Sequence, residues 1–384
     1  FVLTILALFI VSYSPLANTD LDILAKSEHD LLSESSNIIW VPDNYTTIQG
    51  AIYAANLTDV IQVRGGTYYE NIFINKTVSL IGEKPETTII DGGQSNATFS
   101  PTVYVYGENA KDVRICNFTI QSSNAWGIYI VFNSSAHVEK NIITNNSGGI
   151  VADLSSNNTF INNTIMNNKF EGILFFESSE NTMINNTIGE NTYNFGILGS
   201  YFNHSIDTSN FINGKPIHYL KNQSNLFINP GNFPNISYLA LVNCMNITVE
   251  NLNLTKNING LLLVESENLT IRNNILKNNL KGIDIINSLN NTLQRNNVTN
   301  SSWRGISLAN SPHNKFRENN LVDNQISFKV DGESLSDFTQ DIDVSNTVDG
   351  KIMRYLIDCA NLSVNPSTFN DTGYLALVNC YNIT

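Results

Sequence analysis

Apolar and polar residues alternate in short bursts along most of the chain, and the bursts recur at a near-fixed interval. A glycine followed by an alternating apolar run opens each one: Gly127 (GIYIV), Gly149 (GIVAD), Gly172 (GILFF) and Gly196 (GILGS), then Gly260 (GLLLV), Gly282 (GIDII) and Gly305 (GISLA). The spacings are 22, 23 and 24 residues in the first set and 22 and 23 in the second. A second marker keeps step about ten residues upstream, at Asn117, Asn141, Asn163, Asn186, Asn274, Asn297 and Asn320. Period-two alternation, abundant β-branched residues and Asn-Asn interruptions predict two or three strands of three to five residues per unit, not helices.

A propeller blade takes ~40–45 residues, whereas a unit of ~23 residues with three short strands fits one rung of a solenoid. The fold class is therefore all-β, a right-handed parallel β-helix. Rungs stacked at ~4.8 Å would give some thirteen coils and a rod about 60 Å long. The first and third residues after each glycine (Ile128/Ile130, Ile173/Phe175, Leu261/Leu263, Ile283/Ile285) point inward. Asparagine supplies roughly one residue in six. It tolerates the positive φ that sharp corners need, and stacked amides can bond from rung to rung. Thr46 to Asn56 is a convincing amphipathic helix, with Thr46 or Thr47 as N-cap and Ile48, Ala51, Ile52 and Ala55 on one face. It is expected to cap the N-terminal end of the coil.

A longer repeat lies over the short one. Segments 206–248 and 342–384 align without gaps at an offset of 136, sharing Gly214/Gly350, Tyr219/Tyr355 and the whole of YLALVNC. Residues 1–17 read as a signal peptide truncated at its front, an apolar run followed by small residues and proline. Residues 18–39 read as a linker and 40–384 as the β-helix, which stops within an apolar pattern.

Charged residues make up 14% of the chain and the net charge is −13, with 21 Lys+Arg against 34 Asp+Glu. That balance gives no footprint for nucleic acid. Four cysteines are too few for a disulfide scaffold. Cys359 and Cys380 are placed to bridge, but the earlier copy has Gln223 where Cys359 stands. About twenty N-x-S/T sequons make an exported chain a candidate glycoprotein.

The segments VPDNYTTIQGAIYAA (Val41 to Ala55), VRGGTYYENIFINKTVSLIGE (Val63 to Glu83) and TTIIDGG (Thr87 to Gly93) resemble the start of archaeal and bacterial right-handed parallel β-helix proteins of the pectin-lyase-like superfamily. NGKPIHYL and YLALVNC resemble NosD-type repeats, which occur in exported archaeal surface proteins. The NosD resemblance implies periplasmic copper delivery. The pectin-lyase-like resemblance implies polysaccharide cleavage.

The residues themselves favour neither. His29, His137, His204, His218 and His313 lie on different segments, and His218 gives way to Arg354 in the second copy. No metal or other cofactor is expected. For cleavage, Asp153 and Glu177 are the weak catalytic candidates, four and five residues after successive glycines. Hydrolysis needs such a carboxylate pair. Trp126, Phe170, Phe195 and Trp303 lie one or two residues before a repeat glycine and form a candidate aromatic column for sugar rings. The residues two after each glycine (Tyr129, Val151, Leu174, Leu198, Leu262) are apolar although nominally outward, and turn polar at Asp284 and Ser307. Something covers the earlier ones; Asn210 to Tyr238 is the expected cover, and a partner protein is the alternative. The reading is an exported, cell-surface structural or carbohydrate-contacting module without catalytic activity. Its partners would be a polysaccharide or surface glycan and cell-envelope proteins, and it would meet the membrane only through an anchor beyond the sequence.

Overall fold

A computed structural model describes residues 36–95 and 97–384. The signal-peptide reading and most of the linker fall outside them. The described residues form an all-β parallel solenoid of about 16 turns, because the distinctive segments coil as well. Strand Ile38–Val41 already pairs in register with Val60–Val63. The short helix runs Ile48–Ala54, with the Thr47 side chain accepting the Gly50 N–H. Glu70 accepts the N–H groups of Ile48 and Gln49, both at 2.9 Å, so a carboxylate satisfies two free helix-end donors. The Gln49 amide bonds both the N–H and the carbonyl of Phe73, fastening the helix to strand Ile72–Ile74.

The first block has three faces. One runs from Ile38–Val41 to Ser205–Ile206, a second from Gly66–Tyr68 to Phe211–Ile212, and a third from Ile72–Ile74 to Tyr193–Leu198. The repeat glycines owe their place to close approach, not to positive φ. A Cβ on Gly149 would lie 2.3 Å from the Gly172 carbonyl oxygen. Positive φ is instead taken at the corners, chiefly by outward asparagines such as Asn162 and Asn185, whose neighbours Asn163 and Asn186 point inward. The inward amides form ladders. The Asn163 Oδ1 accepts the Asn141 backbone N–H, while its Nδ2 donates to Val138 O and to Asn186 Oδ1. These bonds satisfy polar backbone that would otherwise be buried without partners.

Among the described residues only two strand pairs are antiparallel: Phe211–Ile212 with Lys215–Lys221, and Thr347–Val348 with Lys351–Ile357. Their turns hold Gly214 and Gly350, both at φ +76°. Each hairpin reverses the strand direction while stacking continues. A coil that then keeps its hand must place its interior on the opposite side of the shared sheet. The packing shows this switch. Tyr238, Ala240, Leu262 and Val264 belong to the first block's core, whereas the intervening Leu239, Leu241, Leu261 and Leu263 belong to the second's. Strands Tyr238–Val242 and Asn259–Val264 are therefore buried on both faces, and read as unbroken apolar runs for that reason. The solenoid expected from the repeat thus divides at the first hairpin into two blocks that share a 13-stranded sheet, and the second hairpin starts the same reversal again.

The hairpin unit is built alike both times. The Tyr219 hydroxyl donates to Phe202 O at 2.6 Å and the Tyr355 hydroxyl to Phe338 O at 2.6 Å. Cys359 and Cys380 form a disulfide, while Cys244 stays a buried thiol in the earlier copy.

Candidate functional site

The outer surface of the third face divides into a covered and an open part. Tyr129, Val151, Leu174 and Leu198 are buried, as the apolar pattern requires, but Asn210 to Tyr238 does not cover them. Turn residues of the second block do so: Ile258, Leu280 and Trp303 pack onto them in one cluster. The interior switch brings that block over the first.

The open part carries an aromatic strip that runs into the covered part at the buried Tyr129. Phe73, Tyr104 and Tyr129 are register partners on three successive rungs. Tyr104 stacks on Tyr129 with ring centroids 5.3 Å apart, and Trp126 stacks on the same ring at 5.3 Å. Phe99 meets Trp126 edge-on at 5.7 Å, and Tyr106 meets Phe132 at 5.4 Å. A Cβ on Gly148 would lie 2.3 Å from the Trp126 ring, so that glycine makes room for the indole. Phe99, Tyr106 and Phe132 are exposed, by 38%, 40% and 44%.

Phe132 lies at a corner with φ +56°, stacked in register between Gly107 and Leu154, with Glu177 and Gly199 continuing the column. The same bend in the second block holds Asn243, Glu265, Asn287 and Asn310, all polar and all also at positive φ. A left-handed conformation disfavours a bulky side chain by roughly 1–2 kcal/mol, so an exposed phenylalanine there gains neither backbone comfort nor burial.

The expected column of four aromatics does not assemble. Phe195 has no exposed surface and fills the core beside Phe175 and Tyr238. The reason is register. Phe195 pairs with Ile173, and Gly196 pairs with Leu174, so Asn194 stands in the glycine column and the 24-residue spacing hides an offset of two. Phe170 lies half-buried at a turn with the Lys169 ammonium 5.3 Å from its ring. Trp126 and Trp303 reach the same apolar cluster from opposite blocks. Trp303 is flanked by Lys281 at 5.0 Å and Arg304 at 4.5 Å. Aligning the outward positions of IFI, VYVY and GIYIV would have pointed to Phe73, Tyr104 and Tyr106.

Asp153 and Glu177 do fall at adjacent corner positions on successive rungs. The Tyr129 hydroxyl donates to Asp153 Oδ2 at 2.6 Å, and Oδ1 is buried without a partner. Burial pushes the Asp153 carboxyl above its ordinary range, with nearby Glu177 adding to the rise. Glu177 accepts the Ser200 N–H at 3.0 Å.

Residues 32–233, just over half of the chain, match the family model for a right handed beta helix region. Residues 203–342 match that of the periplasmic copper-binding protein NosD. No curated protein matches the chain. Among solved structures, the A-module of the Azotobacter vinelandii mannuronan C-5 epimerase AlgE6 is 15% identical, covering 78% of this chain and 93% of that one, with a TM-score of 0.38. The Dettilon tailspike protein is 13% identical over 81% of this chain and 70% of its own, at 0.39. An alginate lyase from a Paenibacillus species is 14% identical over 74% and 96%, at 0.27. Likenesses this distant say nothing of what the present chain acts on.

Copper would need clustered nitrogen and sulfur donors, and the described residues do not fit it. His204 is buried between Phe175 and Tyr219, His218 packs on Phe233, and His137 faces Asp112 at 3.6 Å. Cys116 and Cys244 are buried singly. Among the described residues no three His, Cys, Asp or Glu side chains converge, and no helix is long and apolar enough to cross a membrane.

Proposed function

The chain belongs to the right-handed β-helix family, and from that premise we propose that it is an exported, non-catalytic solenoid whose aromatic strip contacts carbohydrate. The observation that carries this reading is Phe132. It is exposed, it occupies a corner where the second block uses polar residues, chiefly asparagine, and it continues a strip through Tyr106, Tyr104 and Trp126. Aromatic faces give sugar rings a broad contact surface at little entropic loss, and a row of them along a rung stack suits a chain of rings better than a single ligand. The match to a periplasmic family supports export. The partner is a polysaccharide or surface glycan.

Titration with soluble polysaccharides, followed by tryptophan fluorescence, tests this. A saturable change is expected in the wild type and its loss in Trp126→Phe. An unchanged signal in that variant would place the contact elsewhere.

A further inference from the structure

We infer a second ligand site at the junction of the two blocks, which takes the carboxylate of an acidic sugar unit. The choice of a sugar rests on the carbohydrate reading above; the choice of an anion rests on the cleft itself. Gly199 and Ser200, just past the last third-face strand of the first block, face the outward side of strands Lys281–Ile286 and Arg304–Ala309 across a cavity of about 250 Å³. That volume corresponds to roughly eight waters at ~30 Å³ each, the scale of one sugar ring.

The polar groups of the cleft are unevenly spent. Asp284 is nearly fully buried and both of its oxygens are occupied. Oδ2 accepts from Lys281 Nζ at 2.7 Å and from Asn259 Nδ2 at 3.2 Å, and Oδ1 accepts from Ser307 Oγ at 2.6 Å. The one carboxylate lining the cavity therefore has its principal acceptor sites filled. The donors are not exhausted. An ammonium has three N–H groups, of which Asp284 takes one. Arg304 gives Nη1 to Asp331 at 3.2 Å, and among the described residues its Nη2 has no acceptor; its Nε, also unpartnered, is buried. Lys281 pairs with Asp284 and Arg304 with Asp331, yet each cation keeps N–H groups beyond those its carboxylate takes. A guanidinium is the side chain best shaped to grip a carboxylate. Asn287 and Asn310 at the rim supply amides for ring hydroxyls. These positions are where the outward ladder turns from apolar to polar, a change that the packing of the two blocks does not require.

Calorimetric titration of the whole chain with D-glucuronate, D-glucose and acetate tests the site. Glucuronate is expected to bind, with glucose and acetate at least tenfold weaker. Arg304→Gln is expected to weaken glucuronate at least tenfold while the melting temperature stays within a few degrees, and Arg304→Lys to fall between. Glucuronate bound no better than glucose or acetate, or bound equally by Arg304→Gln, would overturn the proposal. A Tyr106→Ser/Phe132→Asn variant keeps the two readings apart. If it still binds both polysaccharide and glucuronate, the strip reading fails and the cleft stands; if it loses the polysaccharide that the wild type binds, and neither protein responds to glucuronate, the strip stands and the cleft fails.

Discussion

The Nδ1 of His204 accepts the backbone N–H of Asn181 at 3.3 Å. Asn181 Oδ1 serves Asn158 in the same way at 3.0 Å, and Asn158 Oδ1 serves Ala136 at 2.9 Å. His204 thus ends an asparagine ladder, and it ends it imperfectly: Asn181 Nδ2 and His204 Nε2 are both buried without partners. Burial pulls the imidazole down to about 4, so it is neutral in the fold where the unfolded chain would hold a proton.

The folded value lies below the unfolded one, near 6.5, so stability falls as pH drops from 6.5 towards 4. The linkage is about 3 kcal/mol over that range at 1.36 kcal/mol per unit. His204→Asn should restore the ladder and remove this loss. Urea melts at pH 7 and pH 4.5 check it; an equal acid loss in the variant would refute the assignment.

Asp153 has the opposite sign. Its folded pKa is raised by burial, so its penalty is absent below the unfolded value near 3.8 and grows as pH rises through the folded one. Asp153→Asn keeps an acceptor for Tyr129 and should raise the melting temperature by about 2–4 °C at pH 7, with no gain at pH 3.5.

The Asn-Asn pairs separate two roles that sequence treats alike. Asn163→Leu strands the Asn141 N–H and two further ladder groups and should lower stability by about 3 kcal/mol. Asn162→Gly, at φ +56° on the surface, should be nearly neutral. Equal losses would contradict the division.

Phe132→Asn places at the corner the residue its backbone prefers. Stability should hold or rise by up to about 1 kcal/mol, while carbohydrate binding falls. A marked loss of stability would mean that Phe132 is there for packing.

The period of the glycines carried the fold class, because close rung stacking leaves no room for a Cβ at Gly149 or Gly172. The N-cap at Thr47 and the inward phase of Ile173 and Phe175 were equally legible. The division into two blocks was not. It depends on the hairpin at Gly214, and a tight reversal looks in sequence like any other corner. Phe195 was misplaced because a spacing of 24 conceals a register offset that only its pairing with Ile173 exposes. The aromatic strip was hidden for a related reason: its members come from strands of different length, and no repeat marker aligns Phe73 with Tyr104.

A glycan-array screen of the wild type beside Tyr106→Ser/Phe132→Asn tests the strip most directly. The account expects the wild type to bind a defined set of polysaccharides, and the equally folded double variant to lose that set. A wild type that binds no glycan, or a double variant that keeps every one, would contradict it.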